Sequence, residues 1–201
     1  MEWNDRFMTL FRDAVERYHQ NSRMPAGNFF LPEELEFLDS IGYQAAEMHG
    51  YIQDYAVLGE PTPTTALMIA AMRRFYFVIS QRGISGITKP VCMGDLPGES
   101  EALQEIPYLP RIIRKAEAKM YGSLDPSIMY GDAKDRRFLK EHGDIHPADF
   151  LYWAWIFHGD RQKMVTAVLN AIRAAAPAAA VAPQPEPAAV DVPTQAEFNL
   201  E

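Results

Sequence analysis

Apolar residues in this chain recur at steps of three and four, the spacing that puts them on one face of an α-helix. Trp3, Phe7, Leu10, Phe11, Ala14, Val15 and Tyr18 follow that rhythm and predict a helix over Glu2–His19. Pro25, Gly27 and Asn28 then predict a loop over Asn21–Phe30. Pro32 opens a second helix. Proline suits a first turn because its missing N–H is not needed there, and Glu33 and Glu34 face the positive end of the helix dipole. Gly42 ends it. A third helix is expected over Tyr43–Leu58, with Ala45, Met48, Ile52 and Tyr55 inward and Gly59-Glu60-Pro61 stopping it. The fourth, Thr62–Arg82, has a capping Thr62, Pro63 at its first position and Gly83 at its close. It is apolar on nearly every side, which predicts a central, enclosed helix. Of Arg73 and Arg74, one is expected to snorkel to the surface and the other to meet a carboxylate, because a buried unpaired charge costs too much to persist.

The rhythm stops between Gly83 and Ile106, where Gly83, Gly86, Pro90, Gly94, Pro97 and Gly98 crowd together. A stretch that long without periodicity predicts a linker between two units. Helical spacing returns over Leu109–Tyr121, Asp132–Glu141, His146–Phe157 and Arg161–Ala174. The remainder, 175–201, is low-complexity Ala/Pro with scattered acids, a composition that predicts disorder; its final Phe198 and Leu200 are the only docking-peptide features in it. The fold class expected is all-α: an N-terminal helical unit over 1–83, a linker over 84–107, a C-terminal helical unit over 108–174 and a tail.

Charge changes this picture more than composition does. The chain of 201 residues is 48% apolar, ordinary for a globular core, and carries a formal charge of −8. Residues 108–173 hold eleven Lys and Arg against eight Asp and Glu, whereas residues 1–107 hold eight against fifteen. The second half is thus a net basic unit in an acidic protein, suited to an acidic protein partner or an anionic small molecule. The overall charge argues against nucleic acid as the partner, since phosphate neutralisation needs a basic surface. Cys92 is the sole cysteine, so no disulfide forms within the chain, and the count suits a reducing cytoplasm. No secretory signal is expected from MEWNDRF, and no apolar run approaches the roughly 20 residues that span a bilayer.

One segment carries a set of ordered motifs. Leu109-Pro110-Arg111 opens a helix, and Lys115-Ala116 and Ala118-Lys119 continue it. Gly122, a Tyr130-Gly131 turn, Asp135-Arg136-Arg137-Phe138-Leu139 and Asp149-Phe150-Leu151 follow. In that order they resemble a bacterial domain-of-unknown-function family, number 5069, over about a quarter to a third of the chain. The resemblance implies a small helical domain and carries no activity or site residues with it.

Candidate chemistry centres on the same segment. Arg111, Lys115 and Lys119 fall at i, i+4 and i+8 on one helix face, with Arg114 beside them. Together with Arg136 and Arg137 they would make an anion pocket, because converging guanidinium groups bind carboxylates and phosphates bidentately. A plainer account is that these charges solvate a helix face and pair locally with Glu117, Asp132 and Asp135. His142, Asp144, His146 and Asp149 have metal-ligand chemistry but no named metal spacing, and Gly143 and Pro147 explain them as helix punctuation. Glu47, His49 and Asp54 offer proton-transfer groups without a shared face, so a solvated surface accounts for them better. Trp153 and Trp155 with Tyr152 could stack a flat ligand, but aromatics in a terminal helix more often fill core and rim. No phosphate loop, dinucleotide fingerprint, nucleophile elbow or zincin motif occurs, so no cofactor and no catalytic residue is assigned. The function expected is a helical binding or interaction module. The alternative is an enzyme of uncommon type with an Arg-lined anion pocket between the two units.

Overall fold

The computed structural model describes residues 2–84 and 89–176. Its helices are α1 (Trp3–Gln20), α2 (Ala26–Phe29), α3 (Pro32–Ser40), α4 (Ala45–Leu58), α5 (Pro63–Ile79), α6 (Leu109–Tyr121), α7 (Ala133–Glu141), α8 (Pro147–Ile156) and α9 (Arg161–Ala175). Two short strands, β1 (Ala102–Leu103) and β2 (Ile106–Pro107), form an antiparallel hairpin in which Leu103 faces Ile106. Among the described residues the fold is all-α apart from this hairpin. Among the described residues no helix is long and apolar enough to cross a membrane. The disorder and docking expectations for the tail fall on 177–201, outside the described residues.

Caps set the helix starts. Thr62 accepts from the Thr65 amide at 3.1 Å, and Pro63 follows it as the first residue of α5. Asp132 accepts from the Lys134 and Asp135 amides and starts α7. Asp160 accepts from Lys163 and starts α9. Each satisfies donors that the first helical turn leaves without partners. Gly59, Gly83, Gly122 and Gly143 all adopt positive φ where a helix or turn closes.

Packing joins the two halves. α1 lies on α4 and α5, α2 on α4, and α5 on α6 and α8, while α6 also packs on α8 and α8 on α9. One hydrophobic core runs from Phe7 and Phe11 through Met48, Ile52 and Ile69 to Ile112, Leu139, Phe150 and Val168. Arg17 binds Glu34 bidentately, both contacts at 2.9 Å, and fastens α1 to α3. α5 is less enclosed than its composition predicts. Ala66, Ile69, Ala70 and Phe77 are buried, but Phe75, Val78 and Ile79 stand exposed.

The described part of the expected linker, from Lys89 on, has structure of its own. A 3₁₀ turn spans Met93–Asp95, and Val91 bridges Leu124. The hairpin follows, and its turn residues Gln104 and Glu105 both take positive φ, 52° and 62°. That conformation belongs to a two-residue hairpin turn whose usual sequence signal is Asn-Gly, which is why Gln-Glu gave no warning of it.

Candidate functional site

The basic stripe of α6 turns inward. Lys115 is 2% exposed and Lys119 3%. Lys115 Nζ lies 2.7 Å from Asp132 Oδ2 and 2.6 Å from Asp135 Oδ2. Asp135 is fully buried and also accepts from the Gly131 amide and the Tyr108 hydroxyl, each at 2.8 Å. Burial pushes the Asp135 carboxyl above its ordinary range, and Lys115 opposes that shift. Gly131, at φ 73°, makes the turn that brings the start of α7 against α6. Tyr108 caps α6 from an αL conformation, φ 69°, strained for a side chain of its size, and its hydroxyl holds it there.

Lys119 pairs with Glu47 of α4, and its Nζ sits 3.8 Å from the centroid of the Tyr43 ring. Burial lowers the Lys119 ammonium to about 8, with Glu47 opposing. Arg73 of α5, also buried, donates to Gln81 Oε1 at 2.8 Å, and Gln81 in turn donates to the Tyr121 carbonyl. Burial lowers its guanidinium to about 10, with Glu47 again opposing. The chamber lined by Gln44, Glu47, Arg73 and Lys119 measures about 10 Å³. A space of that size admits a single water and no substrate.

The expected open basic face is therefore not what the chain forms. Asp132, Asp135 and Glu47 draw the two lysines into the interior, where an unpaired charge could not stay. Glu47 itself, expected on a solvated surface, is buried. Its only sequence cue was the four-residue step to Tyr51, whose hydroxyl lies 3.4 Å from Glu47 Oε1. The outer members of the stripe part company. Arg111 Nη1 donates to the Pro97 carbonyl at 2.7 Å, tying the 3₁₀ region to α6, and Arg114 lies 3.8 Å from Glu117.

Arg136 and Arg137 do share a cleft. Arg136 Nη1 donates to Asp54 Oδ2 at 3.1 Å and to the Gly131 carbonyl at 2.7 Å, while Nη2 donates to the Glu60 carbonyl at 3.1 Å. Its side chain is only 10% exposed. It clasps α4, the α4–α5 turn and the Tyr130-Gly131 turn together. Against it lie two adjoining hollows that share Glu60, Arg136 and Lys140. The smaller, about 240 Å³, adds Arg137, Leu58 and Ala133, so three cations face one carboxylate. The larger, about 390 Å³, adds Thr62, Thr65, Asp144 and His146 among others. Together they fall within the size range of ordinary small-molecule pockets. Arg137 and Lys140 are exposed and hold no ion pair among the described residues. Lys140, not among the residues expected there, follows Arg136 by four residues on one helix face.

The remaining candidates separate. His142 Nδ1 lies 2.8 Å from the Phe138 carbonyl and its ring stacks on Phe138. His146 Nδ1 accepts from the Ala148 amide at 3.1 Å and caps α8. Among the described residues no group of three or more His, Cys, Asp or Glu side chains is placed to hold a metal ion. His49 packs against Phe29 and Tyr18, where burial lowers its imidazole, and Asp54 serves Arg136. Cys92 is exposed, and loss of water on one side together with the nearby Asp125 carboxylate raises its thiol rather than activating it. Compared with known proteins, the chain matches no protein-family model, no curated protein and no solved structure.

Proposed function

We propose that this protein is a binding module for a small anionic ligand, seated in the cleft between the α4–α5 turn and α7. The observation that carries this is the meeting of Arg136, Arg137 and Lys140 on one 240 Å³ hollow with Glu60 as the only acid. A carboxylate or phosphate group would lie against Arg137 and Lys140, the two cations without an ion pair among the described residues. Arg136, its charge already paired with Asp54, contributes a rigid wall, because its three hydrogen bonds hold it in place before any ligand arrives. The rest of the ligand would extend into the adjoining hollow, past the hydroxyls of Thr62 and Thr65. Binding rather than catalysis is favoured because the imidazole there, His146, spends its Nδ1 on capping α8.

Isothermal calorimetry and thermal melting with inorganic phosphate, nucleoside monophosphates and dicarboxylates test the proposal. At least one should bind saturably and raise Tm, since a ligand at a hundred times its Kd stabilises by about 2.7 kcal/mol. Arg137→Ala with Lys140→Ala should weaken that ligand at least about tenfold while leaving the unliganded Tm nearly unchanged, as expected for exposed side chains. If the whole panel fails to bind, or the double variant binds as well as the parent, the proposal fails.

A further inference from the structure

The C-terminal end of α8, away from the cleft at its start, carries a second hollow with different chemistry. Tyr76 of α5, Tyr121 at the end of α6 and Trp155 of α8 line a space of about 200 Å³ together with Glu117 and His158. The Tyr76 ring stands nearly perpendicular to both other rings. It makes 83° with Tyr121 at a centroid distance of 5.4 Å, and 84° with Trp155 at 5.9 Å. The Tyr121 hydroxyl lies 2.7 Å from His158 Nε2, which fixes that wall. Glu117 is mostly buried, 17% exposed, and its ion pair among the described residues is a loose one, 3.8 Å to Arg114.

Perpendicular rings give a flat base no pair of parallel planes to stack between. The rings meet edge to face, and the hollow they line beside a carboxylate suits a cation, which an aromatic face attracts within about 6 Å of its centroid. A carboxylate among the rings rejects anions and neutralises a bound cation. A protonated primary amine would need acceptors for three N–H groups, whereas a methylated ammonium has none to satisfy and sheds water readily.

We propose that Tyr76, Tyr121, Trp155 and Glu117 form a binding site for a small quaternary ammonium ligand. The ammonium occupies the hollow that the three rings line, and Glu117 balances its charge. Arg114 is the internal competitor: the closer it sits to Glu117, the weaker the site.

The test is a titration of the full chain with choline chloride, against sodium chloride at matched ionic strength, read by calorimetry and by tryptophan fluorescence. A parallel titration uses the neutral isostere of choline, in which a tert-butyl group replaces the trimethylammonium. Choline should bind saturably, and the isostere at least about tenfold more weakly, because it has the shape without the charge. Glu117→Gln should weaken choline several-fold, and Arg114→Gln should tighten it, with circular dichroism and Tm confirming that both variants fold. The two substitutions act in opposite directions, so loss of folding in one leaves the other decisive. Equal binding of choline and the isostere, or no saturable choline binding to the parent protein, overturns the assignment. Binding confined to a trimethyl-lysine peptide would place the ammonium on a protein and overturn the small-ligand assignment.

Discussion

Replacing Lys119 with methionine removes one charge from a pair whose two side chains are only 4% and 5% exposed. Methionine keeps the length and fills the volume, so the perturbation is electrical rather than steric. Glu47 is then left as a carboxylate in the interior. Breaking one side of a buried pair costs about 3–5 kcal/mol. Arg73, whose charge also acts on Glu47, stays in place, so the lower end of that range, about 3 kcal/mol, is expected. Urea unfolding followed by circular dichroism measures it. With m about 2 kcal/mol per molar, the midpoint should fall by about 1.5 M. Adding Glu47→Gln should restore at least about 2 kcal/mol, because the amide carries no charge to strand. A loss below about 1 kcal/mol in Lys119→Met, or a double variant whose cost is the sum of the two singles, would refute the reasoning.

Three further outcomes follow from the same interior. Gly122→Ala should cost about 1–3 kcal/mol in urea unfolding, because its φ is 72° and a Cβ there would overlap the Arg73 guanidinium; a neutral effect would mean that Arg73 yields freely. Asp135→Asn should destabilise by about 2 kcal/mol and Tyr108→Phe by about 1 kcal/mol, since the first weakens a charged pair and the second one hydrogen bond; the reverse order would contradict the network. Stability should also depend on pH in alkali. Lys119 titrates near 8 in the folded chain and at 10.5 ordinarily, so between these values the unfolded chain binds more protons and this group's contribution rises with pH. Tyr43, Tyr51 and Tyr130 are raised above 10 by burial, so their contribution is lost as pH climbs past 10. Tm measured against pH should therefore rise to about 10 and then fall, and Lys119→Met should lack the rising limb.

Helix positions were legible in the chain because the relevant information is local. Pro32, Pro63, Gly122, Asp160 and the three-four spacing of Leu109, Ile112 and Ala116 act within a few residues of where they stand. The partners of the lysines were legible only in part. Asp132 and Asp135 were named as local partners of the basic stripe, but Glu47 lies 72 residues from Lys119. Nothing in a four-residue window distinguishes a lysine facing water from one facing a distant glutamate. The cleft was half visible for the same reason. Arg136 and Arg137 announce themselves, but Glu60 and Thr62 meet them only because α5 packs on α6 and α8. The hairpin was hidden by its turn residues, which lack glycine and asparagine.

The pairs that span the chain have a consequence for partly folded states. Glu47 with Lys119, Asp54 with Arg136 and Gln44 with the Gly122 and Leu124 carbonyls all link residues before Ile84 to residues after Lys89. A state with only one side of these pairs assembled would expose the shared core and strand a charge or a donor in it. Such half-built states lie several kcal/mol uphill of the complete fold. The pairs thus predict a single cooperative transition, in which circular dichroism and tryptophan fluorescence report coincident urea midpoints, and a chain severed between Ile84 and Lys89 is expected to yield pieces that order only on meeting each other.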